Sequence, residues 1–371
     1  MSVACRLCSS GDLVSRAIGV CLRCLRERPE EALTIALNGH IQSRKLFGLP
    51  SYPPKTAGGI PCQLCAAQCL MGDGEMGYCG IRGNRSGRMY SLAPPGKALL
   101  HYYLDRHVTN CCNAYFCPAG TGAGYPSYAC TNGPEVGYYN LALFFYGCSL
   151  NCLFCQNWSH KQVGRASHVS VNELVSITLS NPRISCWCWF GGSAEPQLPF
   201  AVEASRRIQE TKPVSRIVRI CYEWNGDGNK TLVKRAVETV VTSGGNVKFD
   251  LKAFDPIIHR ALTGFDNSRI LQNFEMVYRE FYSRRRELPV LAATTPVVPR
   301  YIDAEEVEKI ASFIASLDDQ IPYSLLVFHP AFMMNDLPIT PMQQVTECYR
   351  AALRHLRRVE IGNIHLLANT F

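Results

Sequence analysis

The amino-acid sequence predicts an α/β protein whose second half is a partial (β/α)6, TIM-like barrel, preceded by small cysteine-rich metal-binding modules. Two observations lead to this fold class. From residue 140 onward, short apolar runs alternate with helix-length segments, a pattern typical of a parallel sheet with helices outside it. Before residue 138, cysteines occur in closely spaced pairs, which in a reducing compartment bind metal more often than they form disulfides.

The elements of the barrel follow from these runs. The predicted strands are 141–147, 184–190, 216–222, 246–251, 289–298 and 323–329, with a short last strand at VEIGN. The predicted helices are 171–180, 199–211, 231–243, 267–282, 303–316 and about 341–356. We expect four regions: a four-cysteine, zinc-ribbon or rubredoxin-like module at 1–30, a helix and Pro/Gly-rich linker at 31–60, a second metal module with a loop region at 61–137, and the barrel at 138–371.

Length and composition restrict the class of protein. The 371 residues, 47% of them hydrophobic, suffice for one large domain and a small one. No apolar stretch reaches the roughly 18 residues of a membrane helix, and no secretory signal is visible, so we expect a cytoplasmic protein without a membrane partner. The net charge of +8 is spread along the chain. We interpret its densest run, Arg284-Arg285-Arg286, as a solvated helix end and predict no nucleic-acid partner.

The central motif is Cys148-x-x-x-Cys152-x-x-Cys155, directly after the first barrel strand. Three thiolates on one short loop can bind three irons of a [4Fe–4S] cluster and leave the fourth iron for a substrate. The alternatives are a structural zinc site or buried thiols. Zinc in a structural site takes four ligands, and this loop offers three.

This spacing and its position resemble the defining motif of radical S-adenosylmethionine (SAM) enzymes. The loop CLFCQNW is similar to that of the pyruvate formate-lyase activating enzyme group and of the members called AmmeMemoRadiSam. Three strand ends add to the resemblance: FGGSAEP is similar to a Gly-Gly-x-x-Pro-type segment, EWNG to E-T-N-G, and DLK to D-x-K. Arg300 departs from the pattern, because a glycine is expected after Val-Pro.

The resemblance implies that Cys148, Cys152 and Cys155 hold the cluster, and that SAM is cleaved reductively to a 5′-deoxyadenosyl radical. The SAM-binding residues that it implies are Phe154, Gly191, Gly192, Glu195, Glu223, Asn225, Asp250 and Lys252.

The remaining cysteines form further sets. Cys5, Cys8, Cys21 and Cys24 have the spacing of a four-thiolate site for zinc or a single iron. Cys62, Cys65, Cys69 and Cys79 form a second such set, which resembles the N-terminal segment of AmmeMemoRadiSam members. Cys112, Cys117 and Cys130 can bind a third metal or an auxiliary cluster, or be ordinary thiols. We interpret Cys186, Cys188 and Cys221 as core residues on strands, with a ligand or radical relay as the alternative.

The resemblance fixes the class of reaction and leaves the substrate open. Our preferred hypothesis is abstraction of a hydrogen, at a Cα–H, from a protein or peptide, with ferredoxin or flavodoxin as reductant, as would suit an anaerobic cell. One alternative is a cobalamin-dependent radical SAM C-methyltransferase acting on a protein such as methyl-coenzyme M reductase, although no separate cobalamin domain is visible. A small-molecule radical enzyme would need a sealed pocket. An alternative of another class is a non-catalytic zinc-ribbon binding protein.

Overall fold

A mostly parallel sheet of nine strands organises the fold. The computed structural model describes residues 3–11, 14–109, 111–285 and 288–370, with the backbone alone for 368–370. The strands are β1 (Ile60–Pro61), β2 (Leu70–Met71), β3 (Arg82–Arg85), β4 (Arg88–Ser91), β5 (Lys97–Arg106), β6 (Tyr139–Phe145), β7 (His168–Ser170), β8 (Ile184–Gly191), β9 (Arg219–Trp224), β10 (Val247–Asp250), β11 (Leu291–Val297), β12 (Tyr323–Val327) and β13 (Val359–Gly362).

Ten α-helices accompany these strands in the described part of the chain. They are α1 (Leu22–Glu27), α2 (Pro29–Lys45), α3 (Pro118–Thr121), α4 (Val171–Ser180), α5 (Leu198–Thr211), α6 (Lys230–Ser243), α7 (Pro256–Thr263), α8 (Ser268–Phe281), α9 (Ala304–Leu317) and α10 (Met342–Leu353). Side chains at several helix starts fix where the helices begin, because each accepts a hydrogen bond from an N–H of the first turn; these are Ser170, Asn229, Asp255 and Asp303.

The sheet confirms the predicted α/β fold. Its strand order is β13-β12-β11-β10-β9-β8-β6-β5-β7, and β6 and β8 to β13 are parallel neighbours in chain order. Helices connect each of these strands to the next. Because β13 and β7 lie at opposite edges of the sheet, the barrel is open, as a partial barrel is.

The predicted barrel strands and helices are all present, with bounds that differ by a few residues. Strands β5 and β7 and helix α7 were not predicted from the sequence. Strand β5 pairs antiparallel with β6 from Leu100↔Phe145 to Arg106↔Tyr139. The expected loop region at 101–137 therefore begins as a sheet strand. The four predicted domain boundaries stay predictions.

The inner face of β6, β8 and β9 carries cysteines beside polar and small side chains. In parallel strands, residues paired in register point to the same face. Asn140 pairs with Cys186, which pairs with Arg219; in the next row Ala142 pairs with Cys188, which pairs with Cys221. The two tryptophans of β8 alternate with its cysteines and are fully buried on the helix side, at Trp187 and Trp189.

The N-terminal cysteine module packs directly on the barrel. Val14, Ile18 and Val20 belong to the same buried core as the barrel strands. The hydroxyl of Tyr301 donates to the carbonyl of Val20 at 3.0 Å, and the module also reaches the acidic side chains of Asp303 and Asp336. The module is thus fixed against the loops that follow β11 and β12.

Two arginines have local structures that are unusual for this residue type. Arg300 has an unusual backbone conformation, and Arg285 is buried. Arg300 has φ +68°, so the backbone adopts the left-handed conformation that a glycine would favour. Arg285 is buried and donates to the carbonyls of Val240 and Val241 at 3.0 and 3.2 Å. The prediction of a solvated helix end is therefore wrong for Arg285. Arg286 lies outside the described residues.

Across the described ranges, no helix combines the length and apolar character that crossing a membrane requires.

Candidate active site and metal centres

The loop with Cys148, Cys152 and Cys155 follows β6 and is held by two helices. The N–H of Asn151 donates to the carbonyl of Thr263 at 2.8 Å, and that of Leu153 to Leu262 at 3.0 Å. The side-chain amide of Asn151 also lies 3.0 Å from Nδ1 of His40 on α2. Helices α2 and α7 thus fix the position of the three thiols.

His40 is expected to make the protein acid-sensitive. Burial lowers the pKa of His40 to about 4, and the charges of Lys161 and Arg44 act in the same direction. The unfolded chain binds the proton near pH 6.5, so the stability given by neutral His40 is lost as the pH falls from 6.5 to 4. The variant His40→Gln keeps a donor and an acceptor. We expect it to lose about 2 kcal/mol less unfolding free energy than the wild type between pH 7 and pH 5.

The measurement is urea unfolding of both proteins at the two pH values. Acid-induced metal loss affects both proteins alike, so only the difference between them reports on His40. Equal losses in the two proteins would contradict the prediction.

Three buried cations surround the thiols of the loop. Lys161 donates to Asn151 Oδ1 at 2.6 Å, and Arg44 and Lys252 are also buried. Burial raises the pKa of Cys148 to about 12, and the charge of Lys161 acts against this rise. Burial likewise raises the pKa of Cys152 and of Cys155 to about 11. Metal binding would therefore release protons here, and the cations fit the negative charge that thiolates bring.

A cavity of about 350 Å³ opens at the carboxyl ends of the strands. This volume is in the range of small-ligand sites, roughly 300–1,000 Å³. All three loop cysteines line it. Seven of the eight predicted SAM-binding residues line it as well: Phe154, Gly191, Gly192, Glu223, Asn225, Asp250 and Lys252. Their contacts with SAM stay predictions, but the structure brings them together in one place.

A chain of polar contacts begins at the loop and runs along the cavity wall. Asn225 donates to the sulfur of Cys148 at 3.3 Å and accepts from Lys252 Nζ at 2.9 Å. Lys252 also lies 3.3 Å from Asp250. Although burial opposes its charge, the carboxylate of Asp250 raises the pKa of Lys252. The ammonium group is therefore kept charged inside the site.

The series of polar contacts continues along the cavity wall to Lys248, Glu223 and Cys111. Lys248 Nζ lies 3.0 Å from one oxygen of Glu223, and Cys111 Sγ donates to the other at 3.0 Å. Lys248 was not identified from the sequence, and Cys111 was not among the predicted SAM-binding residues. Lys248 shares its strand face with Asp250 two residues on, which was the available signal.

Gly191 and Gly192 allow β8 to end against the cysteine loop. A Cβ on Gly191 would lie 2.6 Å from the N atom of Phe145, and one on Gly192 would lie 2.2 Å from the carbonyl oxygen of Gly147. Gly191 also has φ +110°. Any side chain here would push the loop away, so the glycines are needed even before a ligand is considered.

Glu195 lies behind the cavity instead of lining it. Its carboxylate accepts from the N–H of Gly226 at 2.6 Å and from the hydroxyl of Ser193. Burial raises the pKa of Glu195, and the charge of Asp227 adds to the rise. In this position Glu195 ties the end of β8 to the end of β9. Its predicted contact with SAM stays a prediction.

The four thiols of Cys5, Cys8, Cys21 and Cys24 converge, and all lie within 4.8 Å of one another. The sulfur atoms of Cys5 and Cys24 are 3.8 Å apart, and those of Cys8 and Cys21 are 3.7 Å apart. Four thiolates in tetrahedral array at about 2.3 Å from zinc lie about 3.8 Å apart. The geometry therefore fits a single zinc or iron ion.

Among the described residues, this is the one group of three or more possible ligands whose ligand atoms all lie within 4.8 Å of one another. The three loop sulfurs do not all lie within that distance of one another, which is compatible with thiolates that each bind a different iron. The second set, Cys62, Cys65, Cys69 and Cys79, does not converge on one point, and its metal site stays a prediction.

The third set is spread over different surroundings. Cys112 lines the cavity described above, and Cys117 lines a second cavity inside the barrel. Cys130 lines neither, and its N–H donates to Glu135 at 2.8 Å. The structure does not bring these three cysteines together at one point.

Residues 143–314 match the family model of the radical SAM superfamily. This part of the chain runs from within β6 to within α9 and includes the three-cysteine loop, and it is similar to radical SAM domains. Such a domain implies a [4Fe–4S] cluster and SAM as cofactors, and the cysteine loop, the cavity and the buried cations fit both.

Among curated relatives, the chain is 40% identical over 140 residues to the isethionate sulfite-lyase activating enzyme of Desulfovibrio desulfuricans, covering 38% of this chain and 40% of that protein. It is 29% identical over 209 residues to the pyruvate formate-lyase-activating enzyme of Staphylococcus aureus, covering 53% and 76% of the two chains. An uncharacterised protein of Methanocaldococcus jannaschii is 22% identical over 337 residues, covering 84% of each chain. The chain thus spans less than half the length of the first of these relatives.

Proposed function

We propose that this protein is a radical SAM enzyme that abstracts a hydrogen atom from a Cα–H of a protein or peptide. One observation carries the proposal. The loop cysteines, the Gly191-Gly192 turn and the Asn225–Lys252 pair all line one cavity, whose rim at Gln156 and Asn157 is exposed. Such a site has room for cofactors inside and an approach for a chain segment from outside.

When bound, a reduced [4Fe–4S] cluster and SAM supply a 5′-deoxyadenosyl radical. The chain positions and encloses these groups. Asn225 fixes the Cys148 sulfur by a hydrogen bond. The buried ammonium group of Lys252 can bind a carboxylate of a ligand. The carboxylate of Asp250 can accept hydrogen bonds from hydroxyl or ammonium groups of a ligand.

A polypeptide substrate is supported by two lines of argument. The open rim suits a segment of a large molecule better than a small substrate, which would need a sealed pocket. The two named relatives are activating enzymes of other enzymes. An electron carrier such as ferredoxin or flavodoxin would supply the electron.

The test begins with SAM cleavage. Protein is purified anaerobically, reconstituted with iron and sulfide, and incubated with SAM and dithionite; 5′-deoxyadenosine is then measured by chromatography. We expect product from the wild type and its loss to background in Cys152→Ala. The matched control is Cys348→Ala, which removes a buried cysteine of α10 outside both cavities and should retain the activity.

The substrate class is tested in the same assay. Cells are grown on glycine deuterated at Cα, and an extract of these cells is added to the assay. Deuterium in 5′-deoxyadenosine is then measured by mass spectrometry. Deuterium transfer that requires the protein fraction of the extract supports the proposal. Formation of S-adenosylhomocysteine with added methylcobalamin would favour the methyltransferase instead. Purified protein that contains zinc but no sulfide, and that does not bind SAM, would favour a non-catalytic zinc-ribbon binding protein.

A further inference from the structure

A second cavity of about 320 Å³ lies inside the barrel. It shares Cys111, Phe190 and Glu223 with the cavity of the proposed active site, so these side chains form a partition between two neighbouring chambers. We call the second cavity the lower chamber. Barrel interiors are usually filled by bulky residues such as Val, Ile and Leu. Here Ala142 on β6, and Gly245 in the connection between α6 and β10, leave the space open.

The lower chamber is lined by thiols. Cys188 and Cys221 are paired in register on neighbouring strands, and Cys186 lies two residues before Cys188 on the same face. Cys117, at the start of α3, closes the chamber from the side of the 107–137 segment. Four cysteines from three separate elements therefore face one cavity.

Cationic and polar groups accompany these thiols. Arg219 pairs in register with Cys186, is buried and lines the chamber. Nε2 of His107 lies 3.5 Å from the sulfur of Cys186. Burial raises the pKa of Cys186 and Cys188, although the charge of Arg219 acts the other way on Cys186, so these thiols lose their protons only when iron binds.

The spacing of the thiols selects the kind of ligand. A single ion needs its ligand atoms within a few ångströms of one another, and no three thiols of the lower chamber all lie within 4.8 Å of one another. The backbones of neighbouring strands lie about 4.8 Å apart, and residues two apart along a strand about 6.6 Å. Backbone positions at these separations can present thiolates that each bind a different iron of a sulfide-bridged cluster. A corrinoid is far too large for this chamber.

We propose that Cys117, Cys186, Cys188 and Cys221 bind a second [4Fe–4S] cluster in the lower chamber. Each of the four thiols releases a proton when it binds its iron. Cys111 and Glu223 then stand between this cluster and the proposed active site. The inference does not depend on the proposed reaction, because it concerns cysteines that the three-cysteine loop does not use.

The test uses the full chain with Cys148→Ala, Cys152→Ala and Cys155→Ala combined, which removes the first cluster and leaves the lower chamber intact. After anaerobic reconstitution, iron and acid-labile sulfide are measured, and Mössbauer spectra are recorded. We expect about four sulfides per chain to remain, with the spectrum of a [4Fe–4S] cluster. Addition of Cys188→Ala and Cys221→Ala should remove this sulfide.

Two controls on the same triple background assign the sulfide. Cys62→Ala with Cys65→Ala should leave it in place, which separates the lower chamber from the second cysteine set. Cys348→Ala should also leave it in place, which excludes a general effect of losing a buried thiol. Circular dichroism checks that each variant is folded.

The proposal is overturned if the triple variant holds no acid-labile sulfide, whatever the behaviour of the further variants. It is also overturned if the sulfide persists without Cys188 and Cys221, or if it disappears with Cys62 and Cys65. Failure of SAM cleavage with the second cluster present would overturn the proposed function alone.

Discussion

Replacing Cys24 with alanine is expected to release the metal ion of the N-terminal four-cysteine site and to lower the free energy of unfolding by at least about 3 kcal/mol. Among the described residues of this module, the six-residue helix α1 is the main regular element. The four thiols converge to the spacing of a single tetrahedral ion, and we expect metal binding there to supply much of the folding energy of the module. The measurement is zinc and iron content by elemental analysis together with urea unfolding.

The effect should extend from the module to the barrel. Arg26, two residues after Cys24, makes two hydrogen bonds of 2.9 Å to the carboxylate of Asp303, and Tyr301 is bonded to Val20. We therefore expect faster amide hydrogen exchange around 299–303 in the variant. Cys348→Ala is the control, because it removes a buried thiol that belongs to no cysteine cluster. Unchanged metal content and stability in Cys24→Ala would contradict a structural metal at this site.

Local patterns explain why much of the barrel was predictable from the sequence. Most of the parallel strands are largely buried and contain short apolar runs, and the connecting helices have their own periodicity. Strand β5 was not recognised, because it lies near the edge of the sheet and exposes Tyr103 and Leu104. It also lies within a segment rich in glycine, tyrosine and cysteine, which indicated a loop.

The candidate site was predictable to the extent that short motifs carry it. The three-cysteine loop and the strand-end segments are contiguous in sequence, and the structure places nearly all of their named residues around one cavity. The supporting contacts were not predictable in this way. His40 and Asn151 are separated by 111 positions, and only the packing of α2 against the loop brings them together.

The lower chamber also depends on contacts between residues that are distant in sequence, so it was not predictable. Cys186, Cys188 and Cys221 read as core residues, because a single strand does not reveal what lies opposite its inner face. The register of β8 with β9 and the path of the 107–137 segment decide that they face an open space. Small residues on inner barrel positions are therefore a signal for cavities that can be sought in other sequences.

Replacing Glu135 with alanine is expected to lower the free energy of unfolding by about 3–5 kcal/mol. Glu135 and Arg219 are both fully buried and form two hydrogen bonds of 2.7 and 2.6 Å. Although burial opposes its charge, Arg219 lowers the pKa of Glu135 to about 2. Without Glu135, the guanidinium would stay buried with no carboxylate partner, which is far more costly than losing a surface ion pair.

A double variant separates the ion pair from simple loss of packing. Glu135→Leu with Arg219→Met replaces both charges by apolar groups, and a buried pair replaced in this way often costs little. We expect the double variant to recover most of the stability that Glu135→Ala loses, as measured by urea unfolding at neutral pH. A loss below about 1 kcal/mol in Glu135→Ala would indicate that water reaches the pair, as at a surface.

Because Glu135 also accepts from Ser185 at 2.6 Å, this pair joins the 107–137 segment to β8 and β9. Its loss should therefore open the lower chamber and weaken any cluster held there.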